Sequence, residues 1–348
     1  MGTTSITENK KIAVVILNWN GKEMMRRFLP SVVRYSEELA TVIVADNAST
    51  DGSLEMLKAE FPTVEQIVLD QNYGFAEGYN RALAKVDYPY MLLLNSDVEV
   101  SEGWLRPLLA YMEVHTDVAA CQPKLLSQSE KEYFEYAGAS GGFLDRYGYP
   151  FCRGRIFQVV EKDNGQYDDI KDLLWATGAA LLIRKEDWEQ SGGLDGRFFA
   201  HMEEIDLCWR LRSRGRRIVC IPQSVAYHVG GGTLDQGNPR KTFLNFRNNL
   251  LMLYKNLPEA ELRSVMRIRR LLDYIAAFKF LATLDFANFR AVLKARKEYK
   301  KMQPDFVAQR KENLEKATLA VIPERVNFSI LWHFYAKGIK KFSSLKNL

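Results

Sequence analysis

The chain has 348 residues, of which 47% are hydrophobic, 26% charged and 12% aromatic. At roughly 150 residues per domain this suggests about two domains with a full core, and it excludes a disordered chain, a collagen and a small disulfide scaffold. The formal net charge of +5 conceals a split: residues 240–348 carry 23 basic and 9 acidic side chains, or +14, and the preceding 239 residues carry −9. Such asymmetry points to a nucleic-acid or membrane partner, or to a solvated helical surface. Cys121, Cys152, Cys208 and Cys220 form no Cys-x-x-Cys pair and match no zinc spacing, which suits a reducing compartment. Met1 to Lys10 is polar, without the apolar stretch of a signal peptide. The longest charge-free run, Ile218 to Leu234, contains a proline and three glycines and reads as no membrane span. The expected location is the cytosol, or a membrane reached from the cytosolic side.

In chain order, Lys11–Leu17 (KIAVVIL), Thr41–Ala45 (TVIVA), Gln66–Leu69 and Tyr90–Leu94 (YMLLL) read as buried strands, and Phe28–Ser36, Ser53–Glu60 and Ala76–Val86 as helices. Continuously apolar strands separated by helices predict an α/β, Rossmann-like fold, with a mostly parallel sheet covered on both faces. In such sheets ligands bind beyond the carboxyl ends of the strands. The segments found there are Asn18-Trp19-Asn20-Gly21, Asp46 to Gly52, Asn72 to Phe75, and Asn95-Ser96-Asp97, all polar loops. The middle, Ser101 to Asp235, is irregular and holds 15 glycines. It carries helices at Trp104–Glu113 and Glu203–Arg214, a strand-like stretch at Ala179–Ile183, and a strand Arg217–Ile221 that runs into Pro222. From Arg240 the chain becomes helical and basic. The division is thus a polar tail 1–10, an α/β domain 11–239 with its two halves meeting near residue 100, and a helical region 240–348.

Several clusters carry chemistry. Asp46, directly after a strand, can accept the imide N–H of uracil or thymine, while the turn through Ser49 and Asp51 receives ribose or phosphate; the other reading is a strand-to-helix turn with Ser49 or Asp51 as cap. Asp97, with Asn95 and Ser96, can hold a hard divalent cation that bridges phosphates, or simply satisfy loop N–H groups. His201-Met202-Glu203-Glu204-Ile205-Asp206 offers a general base, or an acidic cluster suited to a helix start. His228 precedes three glycines and can reach a ligand or metal, or be structural. Trp175-Ala176-Thr177-Gly178 is either a buried strand edge or the floor of an acceptor pocket.

The ordered set VVILNWNG, VADNASTDGS, NYGFAEGYN, LLLNSDVEV, WATGAALLIRKE, GGLDGRFFAHMEEIDLCWRLRSRG and YHVGGGT spans about residues 11–235. Together these motifs resemble the family-2 glycosyltransferases of GT-A fold, closest in look to bacterial rhamnosyltransferase-like members that build O-antigen and other surface polysaccharides. The resemblance implies that Asn18, Asn20, Asn72 and Gly74 lie in nucleotide-binding loops, that Asp46 is the base-binding aspartate and Asp51 the second acid of its motif. It implies that Asp97 is the last acid of a metal-binding Asp-x-Asp whose first acid is here Asn95, with His228 completing a Mg²⁺ or Mn²⁺ site. Glu204 matches the catalytic base, with Glu203 beside it as the other candidate, and Asp206 orients the site or caps the helix. The implied reaction is an inverting single displacement: an acceptor hydroxyl, deprotonated by the base, attacks the anomeric carbon of a UDP- or dTDP-sugar. The acceptor is a glycan or lipid-linked glycan, and Trp175, Thr177, Gly178 and His201 are its expected pocket.

In the basic region Leu271, Ile275, Phe278, Ala282, Phe286, Phe289 and Leu293 recur at helical spacing, predicting one long apolar face. Phe328, Ile330, Leu331, Trp332, Phe334 and Tyr335 precede Lys337, Lys340 and Lys341. An apolar stripe edged by lysines suits an anionic membrane surface; a helical cap on the catalytic domain or a homodimer seam are the other readings. No nucleic-acid-binding signature accompanies the charge. The rival functions are a sugar-phosphate nucleotidyltransferase and a non-catalytic sugar-nucleotide-binding protein.

Overall fold

A computed structural model describes residues 10–230 and 237–345. The 1–9 tail and residues 231–236 of the glycine-rich loop, on which part of the sequence reading fell, lie outside the described residues. The first hundred residues alternate as expected: β1 (Ile12–Asn18), α1 (Lys22–Ser36), β2 (Ala40–Asp46), α2 (Ser53–Glu60), β3 (Glu65–Val68), α3 (Gly74–Leu83) and β4 (Tyr90–Leu94). β1 pairs in parallel with β2 and β4, and β2 with β3. Ala13 and Val15 sit in one buried cluster and Ile12, Val14 and Ile16 in the other. The strand is apolar from Ile12 to Leu17 because both faces of the sheet are covered.

Beyond β4 come β5 (Val98–Val100), α4 (Leu105–Val114) and β6 (Val118–Ser127). A separate small sheet follows, made of β7 (Gly142–Leu144), β8 (Pro150–Cys152), β9 (Arg155–Ile156) and β10 (Val159–Val160). Then come β11 (Lys171–Leu173), β12 (Ala180–Arg184), α5 (Lys185–Ser191), α6 (Glu203–Ser213) and β13 (Arg217–His228). The main sheet has the order β11-β13-β6-β12-β4-β1-β2-β3, with β5 beside β13. Its β4-β1-β2-β3 half is parallel, while β12 runs antiparallel to both β4 and β6.

Two expectations fail here for physical reasons. The middle is less irregular than its glycines suggest, because the small sheet is built from strands too short to show a pattern. The last strand of the sheet does not stop at Pro222. β13 pairs with β6 as far as His228, with a register shift between Ile221 and Val225. A bulge accommodates the residue that cannot donate to the ladder. The extension sets His228 opposite Val98, one residue from Asp97.

The basic region forms α7 (Pro239–Asn256), α8 (Glu259–Ala282), α9 (Phe286–Met302) and α10 (Val307–Glu315). The stripe from Leu271 to Leu293 is therefore not one helix face. Leu284 takes φ 59° and Asp285 caps α9 by accepting the Asn288 N–H at 3.1 Å, so the chain turns inside the apparent repeat. The final segment lies on the small sheet: Phe328 packs against Phe151, Phe334 against Phe157, and Phe342 against Phe143. Val326, Ile330, Phe334 and Phe342 belong to the same core cluster as the main sheet. Among the described residues no helix is long and apolar enough to cross a membrane.

Candidate active site

The loops after β1 and β2 are tied to one another through their side chains. Asn18 donates to Asp46 Oδ1 at 2.9 Å and to Ser49 Oγ at 3.0 Å. Ser49 Oγ also accepts the Asn20 N–H, and Asn20 Oδ1 accepts the Thr50 N–H. Asp51 accepts the N–H groups of Lys22 and Ser53, starting two helices at once; these bonds hold its carboxyl below the ordinary range despite partial burial. The expectation that Asp46 meets a base directly needs correction. It is 0% exposed, and its second oxygen accepts the Ser49 N–H at 2.9 Å. Asp46 organises the turn, and only the residues it holds form the loop surface. Asn72 accepts the Gly74 N–H at 2.8 Å. Gly74 has φ +74°, and a Cβ there would lie 2.5 Å from the Phe199 ring, so glycine is required for both conformation and space.

Asn95, Asp97 and His228 come together as the sequence predicted. His228 Nε2 lies 3.1 Å from Asp97 Oδ1 and 3.4 Å from Asn95 Nδ2. Its other nitrogen faces Glu135 Oε1 at 3.2 Å. Burial alone would push the imidazole's pKa down, but the two carboxylates outweigh it and raise it to about 10. Ser96 flanks this loop, its Oγ facing Gly21.

At the start of α6, Glu203 is buried and Glu204 partly exposed. The Oε2 atom of each is buried and has no hydrogen-bond partner among the described residues. Burial pushes Glu204 up to about 7, and burial together with the Glu204 charge pushes Glu203 well above the carboxylate range. A carboxyl poised near neutrality is what a general base requires. Gly178 borders this acid: a Cβ there would stand 3.9 Å from Glu204 Cβ. The next residue, Ala179, accepts the Asn95 N–H at 3.0 Å. The acid pair therefore adjoins the loop that carries Asp97. Asp206, by contrast, is fully buried and fully engaged, accepting from Arg210 at 3.0 Å, Lys255 at 2.7 Å and Asn256 at 2.8 Å.

The expected acceptor pocket divides. Gly178 faces Glu204, and His201 precedes the acid pair with a buried, unpartnered Nε2; burial and the nearby Lys241 charge pull its pKa down to about 4. Trp175 and Thr177 are not pocket residues. Trp175 is buried with its indole N–H on the Phe143 carbonyl at 3.0 Å, and Thr177 is buried with its N–H on Gln122. They are the buried strand edge that the sequence also allowed.

Sequence reasoning missed the residues that hold the acid pair in place. Phe199, His201 and Met202 all have positive φ, at 67°, 72° and 73°, a strained run for non-glycine residues. One amide of α7, Asn248 Nδ2, donates to the carbonyls of Phe198, Ala200 and His201 at 2.8–2.9 Å. Arg247 adds bonds to Arg197 and Phe198. From the opposite side the Phe199 carbonyl accepts the N–H groups of Phe75 and Ala76 at 2.8 and 3.1 Å. The donor-side loop, the acid loop and the basic region are thus one hydrogen-bonded unit. Glu135 and Asn47 were missed too. Asn47 bridges Asn72, Tyr73 and Gly74, and its only signal was its place beside Asp46.

Residues 13–166 match the family described as Glycosyl transferase family 2. The chain carries a family-2 glycosyltransferase domain. It is 24% identical over 231 residues to the N-acetylglucosaminyl-diphospho-decaprenol L-rhamnosyltransferase of Mycobacterium tuberculosis, covering 62% of this chain and 75% of that one. It is 25% identical over 224 residues to rhamnosyltransferase WbbL of Escherichia coli, covering 62% and 83%. Its fold is similar to that of GalNAc-T7 solved with UDP, GalNAc and Mn²⁺ (TM-score 0.59, 15% identity, 87% of this chain and 57% of that one). It is also similar to residues 1–349 of Staphylococcus aureus TarS in complex with UDP-GlcNAc (TM-score 0.54, 13% identity, 88% and 89%). The glycosyltransferase architecture is GT-A, followed here by a helical C-terminal region.

Proposed function

We propose that this glycosyltransferase is an inverting enzyme that moves a sugar from dTDP-rhamnose or a UDP-hexose to a glycan or lipid-linked glycan acceptor in surface-polysaccharide synthesis, working on the cytosolic side of the membrane. The observation that carries this reading is the acid pair of α6: a buried Glu203 and a partly exposed Glu204, each with one buried carboxyl oxygen that has no hydrogen-bond partner among the described residues, beside the Asn95–Asp97 loop. In this reading Glu204 is the base and accepts the acceptor's hydroxyl proton. The hydroxyl oxygen attacks the anomeric carbon as the bond to the nucleoside diphosphate breaks on the opposite face. Glu203, more deeply buried, keeps its proton and lets Glu204 carry the charge. The choice of a rhamnose donor is supported by the relatives named above.

A divalent cation, Mg²⁺ or Mn²⁺, fits the residues present. Asp97 Oδ1 and His228 Nε2, 3.1 Å apart, would hold it, with the imidazole giving up its proton on binding. Glu135 Oε1 stands 3.2 Å from the second imidazole nitrogen, on the side where an outer carboxylate commonly orients a ligating histidine. Among the described residues no group of three His, Cys, Asp or Glu surrounds one point, so the donor phosphates would complete the shell. When bound, the cation supplies charge neutralisation for the departing diphosphate.

The test is a thermal-shift panel of nucleotide sugars with and without Mn²⁺, followed by transfer to a polyprenyl-diphosphate glycan analogue with the product's anomeric configuration read by NMR. A cation-dependent shift with one donor and an inverted product is expected. Exchange of pyrophosphate into the donor would overturn the reading in favour of nucleotidyl transfer, and a retained configuration would overturn the mechanism.

A further inference from the structure

α8 packs with its charged side inward. Its buried positions are Val265, Arg269, Asp273 and Ala277, and the buried Arg269 and Asp273 pair with each other and with Arg296 of α9. At 100° per residue the opposite side carries Ile268, Leu271, Ile275 and Phe278. These are exposed, Leu271 by 58%, Ile275 by 56% and Phe278 by 70%. A water-facing helix of a stable monomer has the reverse polarity, so this face is built to be covered. Lys279 lies 5.9 Å from the Tyr335 ring, which joins the end of α8 to the exposed Trp332 and Tyr335. Exposed Arg263, Arg267 and Arg270 edge one side of the stripe; Lys279 edges the other, and Lys337 and Lys340 follow Tyr335. Between Arg263 and Ala282 the sole acidic residue is Asp273, and it is buried.

We propose that the outer face of α8, with Trp332 and Tyr335, is a docking face for an anionic lipid bilayer. An apolar stripe with interfacial aromatics and a rim of one charge sign is complementary to lipid acyl chains under anionic headgroups. A second copy of the chain would bring two cationic rims together without any acid to meet them. The face is also placed to serve the active site. On its inner side Arg269 donates to the Tyr147 carbonyl and to Asn249, and Asn249 reaches Met202, the neighbour of Glu203. One helix diameter, about 10 Å, thus separates the bilayer face from the residues abutting the acid loop. A lipid-anchored acceptor would present its sugar at that height.

The test uses the full chain, because the basic region shares its core with the sheet. Wild type and the triple variant Leu271→Ser, Ile275→Ser, Phe278→Ser are sedimented with phosphatidylcholine vesicles, with and without one-third phosphatidylglycerol. Wild type is expected to sediment with the anionic vesicles, and less so as salt rises. The triple variant should partition at least tenfold less, with an unchanged melting temperature and unchanged donor-induced thermal shift. Equal binding by both proteins, or wild type left in the supernatant, would overturn the proposal. So would a dimer in light scattering that the triple variant dissolves while neither protein binds vesicles. No sugar donor or acceptor enters the assay, so its outcome is separable from that of the transfer reaction.

Discussion

Helix α6 carries two sets of buried carboxylates within four residues, and the fold treats them oppositely. Asp206 is surrounded by Arg210, Lys255 and Asn256, and Lys255 extends the network to Asp195 at 2.8 Å. Those partners, chiefly Lys255 and Arg197 against the cost of burial, hold Asp195 far below the ordinary carboxylate range. Among the described residues Glu203 and Glu204 have no cationic partner, and burial drives both upward. Burial of an acid is therefore no mark of function in this helix. A buried acid whose desolvation is left uncompensated is such a mark, because the fold accepts a cost that only chemistry explains. The same contrast separates the loop after β2, where Asp46 and Asp51 are saturated by local donors, from the acid loop.

The sharpest break of this contrast is Glu204→Gln. It keeps shape and removes the basic site. Transfer should fall by roughly 10²–10⁴-fold while donor affinity measured by calorimetry stays within about threefold. Turnover close to wild type would show that the uncompensated acid has no catalytic task. The reverse is expected of Lys255→Met. Removing one partner from a buried charge network costs about 3 kcal/mol or more, read as a lower urea midpoint. Its remaining folded fraction should keep a donor-induced thermal shift.

The alternating strands and helices of the first hundred residues were legible, because a strand buried on both faces shows itself as an unbroken apolar run. The meeting of Asp97 with His228 was legible only as a motif. The distance was hidden by Pro222, which reads as a strand end and proves to sit at a bulge. Trp175 was ambiguous because a buried aromatic and a pocket wall look alike in sequence. Asn248 was illegible for a different reason. A side chain that binds three carbonyls leaves no pattern in either partner, since backbone oxygens belong to every residue.

Asn248 offers a finer test of the contrast, because it acts on the unpartnered acids only through backbone. Asn248→Ala should relax the positive φ of Phe199, His201 and Met202 and misplace Glu204. A small displacement of a reacting group is costly, and kcat should drop about tenfold or more with donor KM little changed. Asn288→Ala serves as the control. Asn288 is also buried and hydrogen-bonded, to Gly237 and Asp285, but lies in α9. It should lower stability and leave kcat as it was. Equal losses of kcat in both variants would assign the Asn248 effect to general destabilisation.

The smallest expected effect is thermodynamic and carries a definite sign. The carboxyls of Glu203 and Glu204 hold protons in the folded chain well above their unfolded value of 4.5, and Glu204 does so up to about 7. Between those pH values the folded state binds more protons than the unfolded state, so stability falls as pH rises. The contribution is fully present below pH 4.5 and lost as pH passes through about 7. Glu204→Gln is neutral at every pH and escapes that loss. Its melting temperature should match wild type near pH 4.5 and exceed it at pH 8, by about 2–4 °C for each kcal/mol recovered. Asp206→Asn should instead melt below wild type, since it removes the carboxylate that pairs with Arg210 and Lys255. The wild-type transfer rate should climb about tenfold per pH unit below 7 and level off above it, as the base sheds its proton. A rate profile without that limb, together with no stabilisation of Glu204→Gln at pH 8, would mean that the acid pair is compensated after all, and the contrast within α6 would dissolve.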